Sequence, residues 1–198
     1  MPRLEEVRFY LRGLMLLAMH DPQGFRQLDL TDRGMVRSFW AIVWTFPAIL
    51  VSWLWRRALF LDGMPEGFRP GSTFYLRLAM VEAAGWIFPI VVAGILLFAL
   101  KAEKFFPAAV VVNNWLSVPF AYAYTVLVIL LVLLPGAAPI ISLLWLALVF
   151  ALVTMLFRIL YLVCEKQNLM AGTLTMLLLV PPLLLADWLQ RFLGIFPV

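Results

Sequence analysis

The sequence has very few of the side chains that build catalytic and metal sites. Its 198 residues include one cysteine and one histidine, and only 13% of them are charged. A lone cysteine, Cys164, excludes an internal disulfide and a cysteine-based metal site. A lone histidine, His20, excludes a histidine cluster and a serine–histidine–aspartate triad of the usual kind. We therefore predict no cofactor and no metal.

The sequence motifs of common enzymes are missing as well. The chain contains no HExxH, GxSxG or Walker-type loop, and no acidic DxxxD run that would hold magnesium for transfer of a lipid phosphate. Asp29 and Asp32 are close together, but two carboxylates in a turn are weak evidence for a site. The net charge of +4 comes without a dense basic patch interleaved with aromatics, which argues against nucleic-acid binding. We predict a protein that is not an enzyme.

What the sequence has in excess is apolar residues. They make up 65% of the chain, and the mean hydropathy is +1.00. A soluble domain is typically about half apolar and about a quarter charged. There is too little polar sequence to cover a soluble surface, so we predict an integral membrane protein.

Five apolar runs are long enough to cross a bilayer as helices. They lie at about residues 38–56, 77–100, 105–134, 140–163 and 169–189. This pattern predicts an all-α polytopic fold with a five-helix transmembrane domain over 38–198. The prolines inside four of these runs, among them Pro47, Pro89 and Pro119, predict breaks or kinks. The third run is longer than a bilayer requires, which predicts a tilt or a bend at Pro119.

The segment 1–37 precedes the first apolar run and is polar by comparison. Within residues 2–20, apolar positions recur at helical spacing and arginines occupy another side, which predicts an amphipathic helix. Such a helix either lies in the plane of the lipid headgroups or packs on the loops of its own protein. The following DLTDRG predicts a turn, with Thr31 or Asp32 as the N-cap of the next helix.

The distribution of basic residues predicts the orientation. If the N-terminus is cytoplasmic, ten of the fifteen lysines and arginines lie on that side and five on the other. We therefore expect a cytoplasmic N-terminus and a C-terminus on the opposite side. The many tryptophans and the short loops are typical of a bacterial inner-membrane protein.

Polar side chains inside apolar runs are the candidate site, because ionisable groups in a membrane are costly and often functional. They form two layers. Asn113, Asn114 and Arg158 lie in the cytoplasmic half of the bilayer, and Glu82 and Asp187 lie in the other half. Arg158 is expected to donate to an asparagine. Arg77 and Arg191 are expected to neutralise the two acids.

Each of these residues also has a purely structural interpretation. The asparagines can bond neighbouring helices, and Arg158 can extend its charged group to the lipid headgroups. Glu82 can form a salt bridge near the interface. Its partner must then lie elsewhere than at Arg77, which is not at an i, i+4 spacing.

The layout of a polar N-terminal segment followed by five closely spaced spans resembles the Yip1-like group of small membrane proteins. The resemblance is carried by HDPQGFRQLDLTDRGMVRSF before the first span and by NNW in the third. Eukaryotic members have a DLYGP-type motif where this chain reads DLTDRG, so no residue role is carried over. The resemblance implies a non-enzymatic membrane scaffold or trafficking-type factor.

Two functional hypotheses follow. In the first, the protein is a scaffold or an accessory subunit of a membrane complex, with the lipid bilayer and a membrane protein as partners. Its Ala121, Tyr122 and Tyr124 would then face that partner. In the second, it is an oligomeric transporter or channel component for a small solute or lipid, and the intramembrane polar residues line the route.

Overall fold

The computed structural model describes residues 2–195, and this part of the chain is helical with no β-strand. The seven α-helices are α1 (Leu4–Ala18), α2 (Asp32–Ser38), α3 (Ala41–Asp62), α4 (Ser72–Ala99), α5 (Phe106–Leu133), α6 (Ala138–Val163) and α7 (Asn168–Phe192). Short 3-10 turns occupy Pro22–Gln27, Glu103–Phe105 and Pro135–Ala137. The predicted all-α fold is confirmed.

Five of the helices are long and apolar enough to cross a membrane, and the chain is an integral membrane protein. They correspond to the five predicted runs. The largest difference is at the first span, where α3 continues to Asp62 instead of ending near residue 56. As α4 begins at Ser72, the irregular loop is only 63–71, shorter than the stretch between the first two predicted runs. Arg56 and Arg57 therefore lie inside a helix and not after it.

The prolines do not break the spans. Pro47, Pro89 and Pro119 each lie within a continuous helix, and α7 likewise continues through its proline pair. Each proline removes a backbone donor, and neighbouring groups can satisfy the freed carbonyls in a membrane. The prediction of breaks is wrong, since all four helices continue through their prolines.

Helix α5 is the central element of the bundle. It packs against α1, α2, α3, α4 and α6, and its first half is almost completely buried, from Ala108 to Leu116 apart from Asn113. The other extensive pairing is that of α4 with α7. The fold is therefore organised around α5, and α4 and α7 form a second layer at its side.

The N-terminal unit, defined as residues 4–38, folds onto one end of this bundle. Helix α1 buries Val7, Leu14 and Leu17 and packs against α5 and α6. Its other edge, which includes Phe9 and Met19, stays exposed. Helix α1 therefore packs on its own protein and still presents an exposed apolar edge.

The start of α2 is fixed as the sequence predicts. The Thr31 hydroxyl accepts from the Gly34 backbone N–H at 3.3 Å, so Thr31 and not Asp32 is the N-cap.

Inside the unit, α1 approaches the 22–27 turn very closely. A Cβ on Gly24 would lie 2.4 Å from the Gly13 carbonyl oxygen. Only glycine permits this backbone contact.

The two ends of the bundle differ in their cores. At the N-terminal end, one large apolar cluster joins α1 to α5, α6 and the beginning of α7. There Lys104 and Glu165, from the two turns at this end, form an ion pair at 2.7 Å. The opposite end has a small separate cluster made by Phe60, Phe74, Leu78, Val81 and Ile195.

Candidate functional site

Asn114 lies fully buried at the junction of α5 with the N-terminal unit. Its amide nitrogen donates to the Ser38 hydroxyl at 2.9 Å, and that hydroxyl donates in turn to the Met35 carbonyl at 2.7 Å. The amide oxygen of Asn114 is buried and makes no hydrogen bond to residues 2–195. Asn114 therefore links a transmembrane helix to α2, and its amide oxygen is left without a partner in the described chain.

The predicted bond between Arg158 and an asparagine is wrong. Arg158 is exposed on α6 and donates through Nε to Nδ1 of His20 at 3.0 Å. His20 follows α1 with a positive φ of 65°, so this contact ties the end of α1 to α6. Asn113 is only partly buried and makes no side-chain hydrogen bond within the described chain. The first predicted layer is not one site.

Three polar side chains on one side of α5 join it to α2 and α3. Asn114 contacts α2 through Ser38. The Tyr122 hydroxyl donates to the Trp44 carbonyl at 3.0 Å, and the Thr125 hydroxyl donates to the Ala48 carbonyl at 3.2 Å. Tyr122 is still 42% exposed, but its hydroxyl already has a partner in its own chain. Interhelical bonds of this kind typically contribute about 0.6 kcal/mol each.

Asp187 lies in the other predicted layer and is paired within its own helix. Arg191, one turn later, donates through Nε to Asp187 Oδ2 at 3.0 Å, and both side chains are more than half exposed. The predicted pairing of Asp187 with Arg191 is confirmed. Exposed i, i+4 pairs contribute only about 0.3–0.5 kcal/mol, so this pair supports the helix end and leaves the acid outside any enclosed site.

Glu82 has a different neighbour from the expected one. Arg77 donates to the Leu193 carbonyl at 2.7 Å and joins α4 to the end of α7. The cation that acts on Glu82 is Arg56 of α3, which donates through Nη1 to the Gln190 side-chain oxygen. Glu82, Arg56 and Gln190 therefore form a polar group contributed by three helices, α3, α4 and α7.

This polar group lines one part of a cavity of about 550 Å³. The other walls are apolar and come from α4, α6 and α7, with Trp86, Trp145 and Met176 among them. Helices α4 and α6 both pack on α7 but make little contact with each other. Because Trp145 and Met176 are also about half exposed, the cavity opens sideways, towards the hydrocarbon of a surrounding bilayer.

Within residues 2–195, no group of three or more histidine, cysteine, aspartate or glutamate side chains could hold a metal ion. Outside the spans, burial raises the pKa of the Cys164 thiol to about 11, so this cysteine is unreactive at neutral pH. The Arg3 backbone N–H, which donates to the Glu6 carboxylate at 2.9 Å, lowers the pKa of Glu6. Neither group has the properties of a catalytic residue.

Arg56 and Gln190 were not among the residues predicted from the sequence. Arg56 lies at the end of the first predicted run, beside Arg57. A pattern in the sequence distinguishes the two arginines. The buried small residues of α3 recur at three- and four-residue spacing as Ala41, Thr45, Ala48 and Ser52, and position 56 lies four residues further along, at the edge of that stripe. The same stripe leaves Arg57 on another side of the helix.

Comparisons with known protein families, with curated proteins and with solved structures found no significant match to this chain.

Proposed function

We propose that the chain is a non-enzymatic scaffold or accessory subunit of a membrane complex in the bacterial inner membrane. One observation carries the proposal. Three of the five polar candidates are used inside the chain, because Asn114 bonds Ser38, Arg158 bonds His20 and Asp187 bonds Arg191. Asn114 and Arg158 hold separate helices together, and Asp187 supports the end of its own helix α7. Side chains used in this way do not line a route for a solute.

The N-terminal unit supports the same proposal. It is clamped onto α5 and α6 and tied to them by the Asn114 and Arg158 contacts. A rigid unit at one end of a membrane bundle is a suitable docking surface for another protein. The Yip1-like layout of a polar N-terminal segment before five spans agrees with this role.

The proposed orientation places the N-terminus in the cytoplasm. The N-terminal unit, the turn near Lys104 and the turn near Glu165 meet at one end, and Arg158 reaches the same end through His20. Nine of the fifteen basic residues belong to these segments, and Arg3 directly precedes them. The positive-inside rule assigns such a basic side to the cytoplasm. Reporter fusions after Gly63 and after Glu103 test it. We expect a fusion after Gly63 to report the side opposite the cytoplasm and a fusion after Glu103 to report the cytoplasm.

Native mass spectrometry of the tagged protein, gently extracted from its own host, tests the scaffold role. We expect a stoichiometric protein partner that is retained by the wild type. It should also be retained by Glu82→Gln, a change remote from the N-terminal unit. A homo-oligomer or a monomer without any protein partner would contradict the proposal.

An oligomeric transporter or channel component is the second candidate. The lateral cavity beside Glu82, Arg56 and Gln190 favours it, because these are the candidate polar groups that face an open space. A Glu82→Gln variant that assembles normally but loses uptake of a solute or lipid would support transport. Unchanged uptake would leave the scaffold role as the better explanation.

A further inference from the structure

We propose that the cavity between α4, α6 and α7 binds one zwitterionic phospholipid, with its ammonium group at Glu82 and its phosphate at Arg56. The site would be a specific lipid-binding site in the half of the bilayer opposite the N-terminal unit. The proposal does not rest on the scaffold role, because it concerns a different end of the molecule.

The shape of the cavity suits an amphiphile that enters from the bilayer. A volume of about 550 Å³ is in the range of sites that enclose a small molecule. Its polar lining comes from Arg56, Glu82 and Gln190. The other walls, which include Trp86 and Met176, are apolar. The weak contact between α4 and α6 leaves a lateral entrance. A water-soluble ligand would instead need a polar entrance at the end of the bundle.

The charges of the site select the headgroup. Glu82 is partly exposed and lines the cavity. Its carboxylate interacts with the Trp53 side chain and can also accept from an ammonium group. Arg56 uses Nη1 for Gln190, but its Nε–H is buried without a partner in the described chain. An acid beside a guanidinium matches a headgroup that carries both charges. An anionic headgroup would meet repulsion from Glu82.

The depth of the polar group also fits a lipid. Glu82 lies ten residues into α4 and Arg56 six residues before the end of α3, which corresponds to about 15 Å and about 9 Å along the helices. These helices are longer than the hydrocarbon core of about 30 Å. The charges therefore lie inside the boundary of the core but away from its centre, and the apolar walls continue inward from there along the path of an acyl chain.

Gly85 provides a way to block the cavity without changing a charge. It lines the cavity, and a Cβ built on it would have no heavy atom within 4 Å. A leucine at this position would project into the open space. Because glycine is unfavourable inside a helix, Gly85→Leu should not weaken α4. Asp187→Asn is the matched control for charge, since Asp187 is an exposed acid of the same half that does not line the cavity.

The experiment is native mass spectrometry of the delipidated full-length protein, titrated separately with phosphatidylethanolamine and phosphatidylglycerol. We expect one phosphatidylethanolamine to bind the wild type about tenfold more tightly than phosphatidylglycerol. Glu82→Gln should lose about tenfold in this affinity, Gly85→Leu should lose binding, and Asp187→Asn should match the wild type.

Several outcomes would overturn the proposal. Equal binding of both lipids would show that the charges do not select the headgroup, and tighter binding of phosphatidylglycerol would assign the site to an anionic lipid. Unchanged binding by Gly85→Leu would show that the lipid lies elsewhere. A partner protein found in the native complex bears on the scaffold role alone, so the two proposals fail independently.

Discussion

The two ends of the bundle are built differently, although both consist of apolar helices. At the N-terminal end, α1 closes over α5 and α6, and the Trp115 and Tyr10 rings pack at 5.0 Å between centroids. At the opposite end, α4 and α6 stay apart beside α7 and leave the cavity with Glu82. The difference indicates that the closed end maintains the fold and that the open end is available for a ligand.

The comparison predicts that truncating a large side chain lowers the free energy of unfolding strongly at the closed end and only slightly at the open end. Trp115 is fully buried, whereas Trp188 is 58% exposed. We expect Trp115→Ala to lower the free energy of unfolding by about 3–5 kcal/mol and Trp188→Ala by less than about 1 kcal/mol. Equilibrium unfolding in detergent micelles measures both. Similar losses for the two variants would remove the distinction between the ends.

Adding one methyl group provides the converse test. Gly24→Ala would force a Cβ against the Gly13 carbonyl, and we expect a loss of about 1–3 kcal/mol. Gly85→Ala at the open end meets empty space and should leave stability unchanged or raise it by up to about 1 kcal/mol. The same unfolding experiment reports both changes. A destabilised Gly85→Ala would mean that the cavity is not open.

A smaller effect is expected where α5 joins α2. In a double-mutant cycle of Asn114→Leu with Ser38→Ala, we expect a coupling of about 0.6 kcal/mol, the typical value for hydrogen bonds between membrane helices. Asn113→Leu is the matched control, because Asn113 is partly exposed and should show no coupling to Ser38. Coupling of Arg158 to Asn114 would restore the partnership that the structure contradicts.

The smallest effect concerns pH at the closed end. Glu6 accepts from Arg3 and pairs with Arg37 at 3.3 Å, and its pKa is lowered from the ordinary 4.5. A lowered pKa stabilises the fold above the unfolded value, and this stabilisation is lost as the pH falls through the folded value. On lowering the pH below about 4.5, the midpoint of thermal unfolding should therefore fall slightly less for Glu6→Gln than for the wild type. Identical pH profiles would show that Glu6 makes no net contribution.

Much of the fold could be predicted from the sequence, because apolar runs and helix caps are local properties. The five spans, the amphipathic α1 and the cap at Thr31 follow from spacing and residue type. The path of α3 to Asp62 could not be predicted in this way. Trp53, Trp55 and the arginine pair resemble a membrane boundary, whereas Phe60 beyond them is buried against Phe74 within the helix.

The candidate site was harder to predict, because it depends on which helix faces which. Depth along the spans grouped Asn114 with Arg158, but α1 and its His20 lie beside α6 and take the Arg158 side chain. Likewise, the neighbour of Glu82 comes from α3, far from it in sequence. Sequence identified the costly polar groups, and tertiary packing decided their partners.

The central claim is that the closed end determines stability and the open end determines ligand binding. Thermal unfolding with and without phosphatidylethanolamine tests it in the wild type, Gly24→Ala and Gly85→Leu, since a ligand raises the midpoint of any protein that binds it when folded. We expect Gly24→Ala to unfold at a lower temperature but to keep the lipid-induced rise. Gly85→Leu should keep the wild-type midpoint and lose the rise. A rise that persists in Gly85→Leu, or disappears in Gly24→Ala, would contradict the account.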